Sequence, residues 1–460
     1  MYKNIFIILY LFLASCTITQ VKEKDPVKAL TISNTHPAYW SYKGENVLLL
    51  GGSVEDNLFQ IPELEKELIL LKEVGGNYVR NTMSSRDEGN VWPFKKTGNE
   101  LYDLNQWNEE YWNRFDNFLL QTHESEIFVQ IELWATFDFY RNNWDLNPFN
   151  PKNNINYNNR RSKLSDTVTT HPVFTENNFF RSVPSQMAIA PVLQYQQKFV
   201  DKLLSLSLEY DHILYCMDNE TSVTSDWGKF WSRYIQKKAK EKGKIIHTTE
   251  MWDPHDLSHP FHAETFDNPE IFSFVDISQN NHKSSDEHWE NGLTQLRRLE
   301  QTGAIRPANN VKIYGNDGGR HKTTRDGIEN FIQNVFMGCA SARFHRPTSG
   351  QGLNETAQSV IRAIRDLSDK MDFFNGSASN HLLQDRGTGE AYCRAIENKE
   401  YAIYFPDGGS VDIDLNNFQG KPGIQWLNVL GNDWTSRSEL DKDMISVQAP
   451  GEGHWIALIN

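Results

Sequence analysis

The stretch that most limits what this chain can fold into is residues 212–220, His-Ile-Leu-Tyr-Cys-Met-Asp-Asn-Glu. In it an apolar run stops abruptly at Asp218, Asn219 and Glu220. An apolar run without alternation is the pattern of a strand covered on both faces, as in a parallel sheet. Parallel strands must be joined by a crossover, usually a helix. Strand-like runs recur at 46–52, 77–81, 127–133, 244–250, 272–278, 311–314 and 338–345. Apolar residues at helical spacing fall between them, at 62–74, 105–123, 194–208, 227–242, 286–302, 326–336 and 354–371. This order predicts an α/β fold, a (β/α)8 TIM barrel in which residues 212–220 are the fourth strand. The rhythm changes near residue 375. Short strands at 390–394, 400–405, 410–415, 425–429 and 455–458, separated by turns such as Pro406-Asp407-Gly408-Gly409, predict a small antiparallel β-sandwich over 375–460. A length of 460 residues accommodates both units.

The first residues read differently. A basic start, Met1-Tyr2-Lys3, precedes an apolar stretch at 5–13 that is too short for a stable membrane span. Leu13-Ala14-Ser15-Cys16 then looks like a bacterial lipobox. Residues 1–16 are therefore expected to be a lipoprotein signal peptide with Cys16 lipidated, 17–30 a polar tether, and 31–374 the barrel. That implies an exported protein, periplasmic or on the cell surface, held to the outer membrane through its N-terminal lipid alone. Cys216, Cys339 and Cys393 lack metal-ligand or disulfide spacing and read as buried free thiols. The formal net charge of −14 argues against nucleic acid and against an anionic membrane surface as partner. No serine-centred elbow, HExxH, P-loop or dinucleotide fingerprint is present, and Gly51-Gly52 alone is too weak to signal phosphate binding. No cofactor or metal is expected, and a monomer is.

Chemistry in a (β/α)8 barrel sits at the C-terminal ends of its strands. Acids gather there: Glu132 after strand three, Glu220 after strand four, Glu250 after strand five and Asp317 after strand seven. Glycoside hydrolysis needs two carboxylates flanking the scissile bond. Strands four and seven face each other across the mouth, so Glu220 is expected as general acid/base and Asp317 as nucleophile or base, with Glu250 the substitute partner. Asn219 is placed to hydrogen-bond a sugar hydroxyl. Glu132 serves equally as a substrate contact or as a structural ion-pair acid. Arg80, Arg343, His282, His321 and His345 would form a polar, partly cationic subsite suited to a uronic acid or sulfated sugar. Thirteen Trp and 12% aromatic residues suit sugar C–H faces, and Trp134 and Trp252 follow strands three and five. A long insertion, 134–191, carries Phe137, Tyr140, Trp144, Phe149, Phe174, Phe179 and Phe180 and is expected to pack over the site.

With Asn219-Glu220 ending strand four, the chain resembles clan A retaining glycosidases, whose acid/base follows an Asn there. Residues 453–458, with 401–405 and Trp426-Leu427-Asn428, resemble the "putative collagen-binding" sandwich of bacterial barrel glycosidases such as glycoside hydrolase family 140, the pectin-degrading apiosidases. The resemblance implies a glycoside hydrolase acting on an oligosaccharide from a plant or algal polysaccharide. The family's first strand ends in a Gly-Asp-Thr-like motif where this chain has Gly51-Gly52-Ser53-Val54-Glu55-Asp56, and its strand-seven Glu is matched by Asp317. Retaining and inverting geometries both remain open. A non-catalytic surface glycan-binding lipoprotein and a polysaccharide lyase with a Tyr, His or Lys base are the alternatives.

Overall fold

A computed structural model describes residues 29–170 and 177–460. Cys16, the signal peptide and most of the tether lie outside the described residues, as does Phe174. Eight strands form the barrel: Leu49–Gly52, Tyr78–Thr82, Phe128–Trp134, Ile213–Asp218, His247–Thr249, Val275–Asp276, Ala308–Asn309 and Ser341–Phe344, strands one to eight. Strands five, four, three, two, one and eight are hydrogen-bonded in that order, and six pairs with seven in parallel. The ring closes where the amide of Phe274 donates to the Thr248 carbonyl and that of Ala340 to Ala308. Eight helices follow the strands: Leu64–Glu73, Glu109–Glu124, Ala190–Ser207, Ser225–Glu241, Pro260–Phe266, Ser285–Gln301, Thr324–Met337 and Glu355–Lys370, helices one to eight. The predicted barrel is the observed one, with local differences.

Strand seven pairs earlier than expected, at residues 308–309 and not 311–314. Asn310 is the reason. Its side chain accepts from the Lys312 amide and bonds the side chains of Asn281 and Asn334, while the Val311 amide donates to Ser278 Oγ. The ladder to strand six is diverted there, and the chain rejoins strand eight through the Ile313–Phe344 bridge. Residues 105–107, expected at the start of helix two, belong instead to the strand Tyr102–Trp107, which forms a hairpin with Phe94–Lys96. Gly51 needs no ligand to explain it, because a Cβ there would stand 1.8 Å from the Tyr78 carbonyl oxygen.

An antiparallel meander of Thr31–Ile32, Trp40–Tyr42 and Glu45–Val47 covers the N-terminal end of the barrel. Its fully buried Trp40 meets His247 and Phe274 edge-on and donates its indole N–H to Asn309 Oδ1 at 3.0 Å. After helix eight, a seven-stranded antiparallel sheet and a three-stranded one make the sandwich. Met444–Gln448 is a strand the sequence pattern did not disclose. The sandwich grips helix seven. Tyr392 donates to buried Glu329, Arg325 pairs with Asp407, and buried Arg394 donates to the Phe336 carbonyl and to the Tyr39 hydroxyl. Cys216, Cys339 and Cys393 are buried free thiols. No helix among the described residues is long and apolar enough to cross a membrane.

Candidate active site

Strand four delivers Asn219 and Glu220 to the barrel's mouth. The Asn219 amide donates to the Trp134 carbonyl and that of Thr221 to Met251, so the turn is pinned on both flanks. Glu220 adopts a left-handed backbone, φ 53°. For a residue with a Cβ this conformation is uncommon and persists only where the surroundings impose it. Here it turns the carboxylate into a cavity of about 640 Å3 at the C-terminal ends of the strands.

Opposite stands the chain after Asn310. Alternation along 310–314 sends Lys312 and Tyr314 inward, where both side chains are buried. The Lys312 ammonium pairs with Glu220 and lies 3.2 Å from Asn219 Oδ1, and the Tyr314 hydroxyl donates to the same Glu220 oxygen at 2.9 Å. Burial alone would raise the Glu220 pKa, but the Lys312 charge and these hydrogen bonds outweigh it and hold the carboxyl well below the usual range. Glu220 is thus an anion at neutral pH. Lys312 has its own pKa lowered by burial, a shift that Glu220 opposes.

Around this pair the cavity is lined by Asp253, Gln279, His255, His282, His321 and Arg320, with Asp56, Arg86, Asp87, Tyr140 and Arg346 among the rest of the wall. The Asp253 amide donates to the Thr221 carbonyl, and Thr221 bridges Trp252, so residues 220 and 253 emerge side by side. Gln279 is 1% exposed, and its side-chain amide faces Glu220 and helps to lower the pKa of that carboxyl. His255 and His282 stack face to face with centroids 3.5 Å apart, and His321 meets His282 edge-on. Burial pushes the His282 pKa down to about 3 and lowers those of His255 and His321, so all three are neutral.

The structure brings together Asn219, Glu220, His282, His321 and His345 of the residues singled out from sequence. Several others sit elsewhere. Asp317 does not face Glu220: it is exposed, and its Oδ1 accepts from the Thr324 amide at 3.0 Å, a turn that starts helix seven. Glu250 is fully buried beside Asp218, whose amide donates to its Oε1, and its other oxygen packs on Gly228, where a Cβ would stand 2.1 Å away. Burial raises the pKa of both acids, with the Glu132 charge adding to it at Asp218 and the Asp218 charge at Glu250. Glu132 and Arg80 form a buried ion pair that Asp56 completes. Arg343 is buried against Ser53 and the Val311 carbonyl. Trp134 belongs to an aromatic cluster with Phe139, Phe149, Phe179, Trp227 and Trp231, and Trp252 donates to Thr265 behind the wall. Of the insertion's described aromatics, only Phe137 and Tyr140 reach the cavity.

The signal for Lys312 was present in the sequence: a lysine alternating with apolar residues in a barrel strand is a buried charge and requires a partner. Among the described residues no group of side chains is arranged to hold a metal ion.

Fold and site together define a (β/α)8 barrel with a carboxylate-bearing mouth and a C-terminal β-sandwich. Among solved structures the chain is similar to a glycoside hydrolase at TM-score 0.66 and 11% identity, covering 95% of this chain and 98% of that one. It is similar to a glycoside hydrolase family 5 protein from Bacteroides vulgatus at TM-score 0.64 and 12% identity, covering 95% and 94%. A family 5 mannosidase from Rhizomucor miehei superposes at TM-score 0.52 and 14% identity, covering 75% of this chain and 99% of that one. At these identities the likeness is one of fold. No protein-family model and no curated protein matches the sequence.

Proposed function

We propose that the protein is a glycoside hydrolase on a barrel like that of clan A, with the strand-four role reversed, cleaving an O-glycosidic bond at the barrel's mouth with Glu220 and Asp253 as its two carboxylates. The observation that carries this reading is Glu220 itself, a buried anion at the end of strand four in a cavity large enough for sugar rings. The solved glycoside hydrolases of like fold support the reaction class.

The roles follow from charge. A carboxylate held ionised by Lys312 is a poor proton donor and a good nucleophile. Glu220 therefore attacks the anomeric carbon while Asp253 gives its proton to the departing oxygen. Water, deprotonated by Asp253, then releases the sugar from Glu220. Tyr314 and Lys312 steady the attacking oxygen, and Asn219 and Gln279 bind hydroxyls. This assignment reverses the acid/base role expected for Glu220 and replaces Asp317. The resemblance to family 140 is not carried as far as apiose, because Asp56, in the loop after strand one, is engaged by Arg80, Arg86 and Arg346.

The test uses aryl glycosides. Glu220→Ala should lose turnover by about 10⁴-fold or more and regain part of it with azide, forming a glycosyl azide. Asp253→Ala should spare dinitrophenyl leaving groups and fail on alkyl ones. Unchanged turnover in Glu220→Ala would sink the proposal. Because lysine and tyrosine both touch Glu220, β-elimination is the second reading, and unsaturated, ultraviolet-absorbing products would establish it.

A further inference from the structure

The charges lining the cavity do not follow those of the chain. Although the protein carries a formal net charge of −14, its mouth presents Arg86, Arg141, Lys312, Arg320 and Arg346. Three of these five are matched: Arg86 by Asp56, Lys312 by Glu220, and Arg346 by Glu55, Asp56 and Asp87. Arg141 and Arg320 are not. Both are exposed, on opposite rims, and among the described residues neither has a carboxylate within ion-pair distance.

Arg320 is the better placed of the two. It follows Gly318, whose φ of 84° makes the tight turn, and its own amide donates to the Thr348 carbonyl, so the rim is tied to the loop after strand eight. The next residue, His321, packs its ring on Tyr314 at 4.9 Å, and Tyr314 donates to Glu220. Arg320 thus lines the same cavity as Glu220 and Asp253, next in sequence to the ring that packs on Tyr314. The same cavity is lined by the neutral imidazoles of His255, His282 and His321 and by the amide of Gln279. Planar, bidentate guanidinium donors suit carboxylate and sulfate.

Resting on the glycosidase reading, we propose that the sugar bound at this mouth carries an anion, a carboxylate or a sulfate ester, and that Arg320, with Arg141 on the facing rim, is the group that pairs with it. The wall differs from the one expected from sequence: Arg80 and Arg343 are enclosed in the barrel, and the two cations of the cavity that no carboxylate matches, Arg141 and Arg320, lie on the loops after strands three and seven.

Calorimetry on the full chain tests this without turnover, using free glucuronate, galacturonate and galactose 6-sulfate against glucose and galactose. An anionic sugar should bind at least about tenfold tighter than its neutral counterpart. Arg320→Ala should erase that preference while Arg320→Lys keeps part of it, and affinity for neutral sugars should not change. The carboxylate and sulfate arms identify which anion is read. Equal binding of neutral sugars, no binding of any anionic sugar, or a preference untouched in the Arg320→Ala/Arg141→Ala double variant would overturn the inference. Hydrolysis of neutral aryl glycosides without anion preference would overturn it and leave the glycosidase reading standing. Anion-selective binding with no hydrolysis of uronide or neutral glycosides would do the reverse.

Discussion

Lys312 sets the protonation state of Glu220. With the ammonium in place, the carboxylate stays ionised well into the acid range, so an activity that needs the anion persists at low pH. Removing the charge but keeping bulk, Lys312→Met, leaves Glu220 buried with only Tyr314 as a strong donor, and burial then pushes its pKa up. The acid limb of the kcat/KM profile should move to higher pH by about one unit or more, with turnover down about a hundredfold. Lys312→Arg should leave the limb near its original place. An unmoved limb in Lys312→Met would mean that Glu220 is not the group being titrated. The same depression of Glu220 and Asp56 has a stability sign. It stabilises the fold above the ordinary carboxylate pKa, and that contribution is lost as pH falls through the depressed values.

At the level of strands and helices, two buried clusters behave oppositely. Arg80 is fully buried and donates to both oxygens of Glu132 and to Asp56, joining strands two and three to the loop after strand one. Arg80→Met would leave Glu132 buried without its cation and Asp56 with only Arg86 and Arg346, and should cost about 3–5 kcal/mol in denaturant unfolding. Asp218 and Glu250 are the reverse case. Their raised pKa means that the fold resists their ionisation, so they are a liability above the ordinary carboxylate pKa and neutral below it. Asp218→Asn keeps an acceptor for the Trp227 indole and should raise Tm by a few degrees at pH 7, with the gain vanishing near pH 4.

These clusters also mark what sequence could disclose. Barrel order, the place of Glu220 and the boundary near 375 rest on periodicity, which is local and survives in the primary chain. Whether Glu132, Glu250, Arg80 or Arg343 faces the cavity or the interior depends on which strand neighbours it, and that is set by closure of the ring. Asp317 stands outside the cavity because strand seven is interrupted at Asn310, so the inward positions fall at 312 and 314. Trp134 and Trp252 were read as sugar platforms because aromatic residues after strands serve cavity and core alike.

Across the whole molecule, the sandwich and the barrel share helix seven, and the loop that starts that helix carries Arg320 and His321 to the mouth. A chain ending at residue 375 would expose Phe336 and leave Glu329 without Tyr392. It should melt at least about 10 °C lower or aggregate, as read by calorimetry on the shortened protein. The join has a second consequence, in the order of synthesis. Tyr39 receives its hydrogen bond from Arg394, 355 residues later, and Trp40 donates to Asn309, 269 residues later. The hairpin that opens the described residues therefore waits for partners made hundreds of residues later. The floor of the barrel can be sealed only after the sandwich strand that carries Arg394 has been made, which ties closure of the barrel to the sandwich.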